Sequence, residues 1–212
     1  MALALDPTTP ASGQQGVNFF GTSQSVTLTT AGGSGVIIVM VETGGLDLPN
    51  TPTATGLTFT QRAQVALSTA GNLTEYQAPY TTDFSGTISV TTGGAGQFVG
   101  VVTTGISGAA TSSSYDSGGP QTASGNVSET TTNANDFVFC GYASTGQDPT
   151  SSSPWTSLFT LNQNFLNFQY QIVSATGTYS PTLTTGGPAL AGIIDAAIQA
   201  GSGDILMSQI WI

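Results

Sequence analysis

The sequence predicts an all-β protein, a β-sandwich of jelly-roll or Greek-key type built from an internal duplication. Three observations predict it. Apolar residues recur at every second position, as in a strand with one buried face, or in short unbroken runs, as in a strand covered on both faces, and no stretch sustains a helical period. These runs are punctuated by Gly, Ser, Thr, Asn and Pro clusters, with 28 Gly and 10 Pro in 212 residues, which is turn chemistry at strand spacing. The order of segments in the first half then returns in the second. A chain of this length can bury one large core. A single domain over residues 22–200, made of repeats 22–108 and 125–200, is expected between an N-terminal arm (1–21) and a C-terminal apolar strand or tail (201–212).

Residues 1–21 are rich in Pro, Thr and Gly, with one short apolar cluster at 17–20. They read as an extended arm ending in a possible first strand, resting on a neighbouring subunit or anchored by that strand alone. Residues 25–29 alternate, with Val26 and Leu28 facing inward, and 35–41 form a continuous apolar run; AGGSG between them is a hairpin turn. Over 57–67, a long strand or a strand pair is expected: Leu57, Phe59, Ala63, Val65 and Leu67 share one face, broken only by Gln61, while Thr58, Thr60, Arg62 and Gln64 share the other. Residues 68–72 form a turn, 73–80 a strand, 86–91 a strand with Ile88 and Val90 inward, and 97–106 a second apolar run. Residues 107–124 have no period, and read as a crossing loop or a connection between repeats.

The second half retraces these steps. VSETTTNANDFVFCGY (127–142) matches SVTLTTAGGSGVIIVMV (25–41), with Thr30 opposite Thr132 and Cys140 near Val39. Tyr76 and Gln77 match Tyr170 and Gln171, and Thr91 and Thr92 match Thr184 and Thr185. VGVVTTGISG from Val99 matches AGIIDAAIQA from Ala191, which sets Asp195 opposite Thr103. A preserved order with a slowly falling offset is what duplication followed by small loop deletions leaves. The strand at 165–173 alternates Leu166, Phe168, Tyr170 and Ile172 with Asn167, Gln169 and Gln171. The ending ILMSQIWI has no counterpart. As a last strand or one lent to a neighbour, it makes Ile205, Leu206, Met207, Ile210, Trp211 and Ile212 candidate intersubunit contacts.

The side-chain inventory excludes more chemistry than it offers. With no His and no Lys, and with Arg62 as the only basic residue against eight Asp and three Glu, the formal charge is -10. Serine and cysteine triads, the usual zinc sites and lysine catalysis all lack their groups. A nucleic-acid partner lacks the clustered cations it needs, no stretch is long and apolar enough to span a bilayer as a helix, and no calcium-loop pattern or other cofactor motif occurs. Asp6, Asp47, Asp83, Asp116, Asp136, Asp148 and Asp204 stand beside turn-forming residues, where Asp bonds its own backbone. Asp195 is the exception, inside the apolar run AGIIDAAI, and a buried carboxylate needs a partner. Arg62 is the candidate. Trp155, Trp211, Tyr76, Tyr80, Tyr142, Tyr170 and Tyr179 read as core, with sugar stacking as the alternative. Cys140 reads as a buried, inert thiol, and the sequons at Asn72 and Asn126 matter only in a glycosylating pathway.

On TTNANDFVF (131–139), YQIVSATGTYSPTLT (170–184), AGIIDAAI (191–198), GLTFTQR from Gly56 and LTEYQAPY from Leu73, the chain resembles Thr/Gly-rich β-sandwich domains of uncharacterised bacterial and phage proteins. The resemblance implies a structural or adhesive module with no catalytic residues. MALALDPTTP shows no signal peptide, which favours a virion protein made in a host cytoplasm over an extracellular one. The expectation is therefore a non-enzymatic phage virion structural protein, a capsid decoration or other head- or tail-associated subunit. Its partners would be copies of itself and other virion proteins, with no cofactor. A carbohydrate-binding or adhesive module, with a possible glycan partner, and an extracellular filament subunit with strand exchange are the alternatives.

Overall fold

The computed structural model describes residues 1–6, 14–19, 21–45, 47–67, 71–94, 98–145, 151, 153–161, 166–181 and 189–201. All regular elements among them are strands, and the protein is an all-β sandwich. The first sheet holds β1 (Ala4–Leu5), β2 (Gln14–Phe19), β4 (Gly35–Gly44), β5 (Thr60–Leu67), β6 (Gly71–Tyr80) and β8 (Phe98–Ser107). Its order is β5-β6-β4-β8, with β1 and β2 both on the far side of β8. A two-stranded ribbon of β3 (Ser23–Thr29) and β7 (Ser85–Thr91) accompanies it. The second sheet runs β12 (Thr156–Leu161), β13 (Leu166–Ile172), β11 (Asp136–Thr145), β15 (Ala189–Ile198) and β9 (Gln121–Ala123), with a short ribbon of β10 (Glu129–Thr130) and β14 (Thr178–Tyr179).

Four layers result, and the apolar runs explain them. Val36, Ile38 and Met40 of β4 pack with Val102 and Ile106 against Phe137, Phe139, Phe168 and Ile193 of the second sheet. The alternate residues Ile37, Val39 and Val41 face the other way, onto Val26, Leu28, Ile88 and Val90 of the first ribbon. Val138, Cys140, Tyr142 and Ile194 likewise turn from the central core towards Val127, Trp155 and Val173. The two large sheets pack face to face and each is covered outside, so their central strands are buried on both faces and read as unbroken apolar runs. Tyr76, Tyr80, Tyr142 and Trp155 are core residues, as is Cys140.

Three stretches depart from the sequence reading. The 57–67 segment is neither one long strand nor a strand pair: Ala54 and Leu57 close a tight turn, and the single strand β5 begins at Thr60. A β-bulge between Gln61 and Ala63 then inserts Arg62 as an extra residue. One extra residue reverses which side chains point inward. Phe59 accordingly packs under the first ribbon, whereas Ala63 and Leu67 face the second sheet.

The arm departs in part: the strand expected at its end is present as β2, but a second strand, β1, anchors it as well. β1 and β2 pair with the chain's own β8, Leu3 is buried, and the buried Asp6 accepts hydrogen bonds from Ala31 N and Gly32 N, both at 3.0 Å, and from Tyr80 Oη at 3.0 Å. It closes its own fold. Third, part of 107–124 runs beside β15, with Ala110 N bonded to Ile198 O (3.0 Å), Ile198 N to Ser114 O (2.9 Å) and Asp116 N to Ala196 O (2.9 Å), before β9 joins the sheet edge.

The second sheet and ribbon repeat the strand order and connectivity of the first, and the hydrogen bonds fix the register. Thr30 N donates to Phe84 O and Phe84 N to Thr30 Oγ1; Thr131 N donates to Gly177 O and Gly177 N to Thr131 Oγ1. Asp6 receives Ala31 N and Gly32 N, while Asp116 receives Thr132 N and Asn133 N. Thr30 therefore corresponds to Thr131, not Thr132. Val39 and Cys140 still hold like places, and the registers within the two sheets then give Asp195 the place of Thr104 and Gln169 that of Tyr76. These like places lie one residue from the letter matches in two of the strands, and a one-residue step exchanges the two faces of a strand.

Candidate functional site

The bulge in β5 sends Arg62 towards the space between the sheets, where β15 presents Asp195. Arg62 Nε and Nη2 both donate to Asp195 Oδ2, at 3.0 and 2.8 Å. Asp195 is fully buried, its Oδ1 accepting Ala196 N at 2.9 Å, while the arginine side chain is 22% exposed. The guanidinium lies over the Tyr115 ring, 4.2 Å from its centroid, which adds a cation–π contact. The structure thus brings the two residues singled out in the sequence together across the two sheets.

It also gathers residues that turn chemistry had hidden. Glu75, on β6 opposite Ala63, is buried on the same inter-sheet face, and Glu129 approaches from β10. Gly119 lies between acids: a Cβ there would meet Asp195 Oδ1 at 2.5 Å and Glu129 Oε1 at 2.6 Å, so this approach requires glycine. Asp116 is a clasp between separate segments, receiving Gly118 N (2.7 Å), Thr132 N and Oγ1 (2.8 and 2.9 Å), and Asn133 N and Nδ2 (2.7 and 2.8 Å). Asp136 is buried at the start of β11. Asp6, Asp116 and Asp136 are therefore interior groups and not simple turn residues. Strand parity could have exposed Glu75, two residues from the core residue Leu73 on one face of β6.

Burial dominates the electrostatics. It raises Glu75 well above the usual carboxylate range, and the nearby Asp195 charge pushes the same way. Asp195 is raised by burial and pulled back by Arg62. Glu129 is pushed up to about 8 by burial and by the charges of Asp195 and Asp116. Asp136 is pushed up to about 7 by burial and by the nearby Asp116 charge. Asp116 overcomes burial because the N–H groups of Gly118, Asn133 and Thr132 hold it down at about 2. Asp116, held down by its N–H donors, and Asp195, paired with Arg62, thus stand among acids that burial pushes up.

A groove of about 540 Å³ opens beside it. Thr58, Thr60, Arg62 and Gln77 line one side, Thr111, Ser113, Tyr115 and Ser117 the other. Among the described residues no group of three or more His, Cys, Asp or Glu side chains is placed to hold a metal ion, and no helix is long and apolar enough to cross a membrane. Residues 202–212, including Ile205, Leu206, Met207, Ile210, Trp211 and Ile212, lie outside the described residues, as do Asp148, Asp204, Thr184 and Thr185. The sequon Asn72 is buried within β6, where its Nδ2 donates to Asp47 O at 3.4 Å.

These shifts carry a pH dependence of defined sign. Glu129 and Asp136 have native values of about 8 and about 7, above the roughly 4 of an unfolded carboxyl. The native state then keeps protons the unfolded chain has released, so stability falls as pH rises from about 4 to about 8 and levels off above. Asp116 acts oppositely: its contribution is present above about pH 4 and is lost as pH falls towards its native value of about 2. The thermal midpoint is expected to be highest near pH 4–5 and to fall by roughly 5–10 °C by pH 9. Glu129→Gln should flatten this profile and exceed the parent at alkaline pH. Parallel profiles would show that Glu129 does not titrate as described. Compared with protein-family models, curated proteins and solved structures, the chain matches none.

Proposed function

We propose that the chain is a structural subunit of an ordered multimer, of the kind a phage virion carries as capsid decoration or another head- or tail-associated component. It acts by packing against copies of itself and other virion proteins, not by catalysis. The observation supporting this reading is the outer face of the β3–β7 ribbon. There Ser23, Ser25, Thr27 and Thr29 stand in register with Thr91, Ser89, Thr87 and Ser85. Ser25 and Ser89 hydroxyls bond at 2.8 Å, and Thr29 and Ser85 at 3.1 Å. Such a face carries no charge to desolvate, and short hydroxyl side chains lose far less rotamer freedom than Lys or Glu when covered. The matched clasps of Asp6 and Asp116 support an internal duplication as the origin of the sandwich.

Sedimentation across a wide concentration range tests the proposal. An ordered multimer is expected, and Thr27→Lys with Thr87→Lys should dissociate it while leaving the thermal midpoint within a few degrees, since exposed substitutions cost roughly 0.5 kcal/mol or less. A chain that stays monomeric at high concentration and binds no capsid or tail would overturn the proposal.

A further inference from the structure

The groove carries more hydrogen-bonding capacity than the fold uses. Thr58 and Thr60 on one side, and Thr111 and Ser113 on the other, present hydroxyls, each able to donate and accept, while Ser117 beside them keeps only its acceptor capacity because its hydroxyl bonds Thr132 Oγ1 at 3.0 Å. Between them stands Gln77, whose Oε1 is buried with no hydrogen-bond partner among the described residues. Arg62 reaches the same space, over the Tyr115 ring that forms part of the wall.

The walls are rigid. The segment carrying Thr111 to Ser117 is tied to β15 through Ala110 N, Ser114 O and Asp116 N, and the Asp116 carboxylate pins it to the Thr132–Asn133 turn. Ser113 is held at a φ of 50°, a left-handed conformation uncommon for a residue with a side chain, and such conformations gather at binding sites. A preformed groove loses little entropy on binding.

The lining selects the ligand class. Pro79 and the Tyr115 ring are the main apolar groups present, too few to hold a hydrophobic molecule. An anion is disfavoured because Arg62 is already neutralised by Asp195, the Asp116 carboxylate lines the groove, and the chain carries a net charge of -10. A ring bearing neutral hydroxyls matches what remains: hydroxyl and amide donors and acceptors beside one guanidinium that is already charge-paired. At about 540 Å³ the groove falls in the range of roughly 300–1,000 Å³ usual for small-ligand sites. We propose that this groove, between Thr58, Thr60 and Gln77 on one side and Thr111, Ser113 and Ser117 on the other, binds a neutral saccharide.

The inference goes beyond assembly and stands separately from it, since a monomer could bind sugar and a multimer could fail to. The test is a titration of the isotope-labelled full chain, followed by amide chemical shifts, with maltotriose, cellotriose, mannotriose and chitotriose, and with glucuronic acid as the anionic comparison. Saturable shifts at Thr60, Gln77, Ser113 and Ser117 are expected for at least one neutral trisaccharide below about 10 mM. Gln77→Ala and Ser113→Ala should each weaken that binding at least about five-fold, whereas Ser25→Ala on the far ribbon should leave it unchanged. Two groove variants guard against one that misfolds, and their own spectra report folding. No saturable shift with any neutral sugar, preference for glucuronic acid, or shifts mapping outside the groove would each overturn the proposal.

Discussion

Replacing Arg62 by Met is expected to destabilise the protein by about 3–5 kcal/mol near pH 8, because it leaves a buried carboxylate without its counter-charge. Asp195 is fully buried and both of its arginine hydrogen bonds end on one oxygen. The arginine is 22% exposed, so solvent screening lowers the pair's own worth, and most of the cost is the orphaned acid. Asp195 can relieve that cost by taking up a proton, since burial already raises it and Arg62 is what pulls it back. The loss should accordingly shrink at pH 5, which separates an electrostatic cause from a merely steric one. The double variant Arg62→Met with Asp195→Val removes both charges and should recover most of the stability. Urea unfolding at the two pH values measures all of this. A single variant within about 0.5 kcal/mol of the parent at pH 8 would show that the pair is inert.

This ion pair was legible in the sequence because the composition leaves almost no choice: one cation, and one acid embedded in an apolar run. The layers were legible too, since a strand such as β4 that is apolar on both parities must be covered on both faces. What aims Arg62 was not. A β-bulge leaves no mark in the alternation of Gln61, Arg62 and Ala63, yet it decides that Ala63 and Phe59 serve different cores. Asp116 is an instructive miss. Its bond to Gly118 N is the local turn chemistry the sequence suggests, but its four other partners lie on Thr132 and Asn133, and sequence spacing says nothing of them. The acids that burial pushes up were hidden for a related reason. Glu75 and Glu129 have no cation of their own, so no charge pattern betrays their depth; only the meeting of two sheets buries them. The letter matches differ from the like places in the two sheets because Thr and Gly are so common that letters align as well one residue out of step, whereas a one-residue step turns a side chain to the other face.

The central core makes the second large effect predictable. Phe139 is fully buried, with its ring stacked on Phe168 at 5.8 Å between centroids and its neighbour Tyr115 meeting it edge-on at 6.3 Å. Phe139→Ala should cost about 3–5 kcal/mol through lost burial and the cavity left between two sheets that cannot collapse together. Phe139→Leu, which keeps most of the volume, should cost about 1.5 kcal/mol or less. The difference between the two variants measures packing and not strand propensity. Tyr115 carries the effect further, because the ring that packs on Phe139 also supports the Arg62 guanidinium at 4.2 Å. Loss of the phenyl ring frees Tyr115 to shift, so Phe139→Ala and Arg62→Met should be non-additive by roughly 0.5–1 kcal/mol or more in a double-mutant cycle. Ile172→Thr provides the contrast on the same sheet: at 50% exposure it should change stability by about 0.5 kcal/mol or less. A Phe139→Ala variant that loses under about 1.5 kcal/mol would mean that the inter-sheet space relaxes around the gap. Strict additivity with Arg62→Met would mean that the core and the groove wall are mechanically separate.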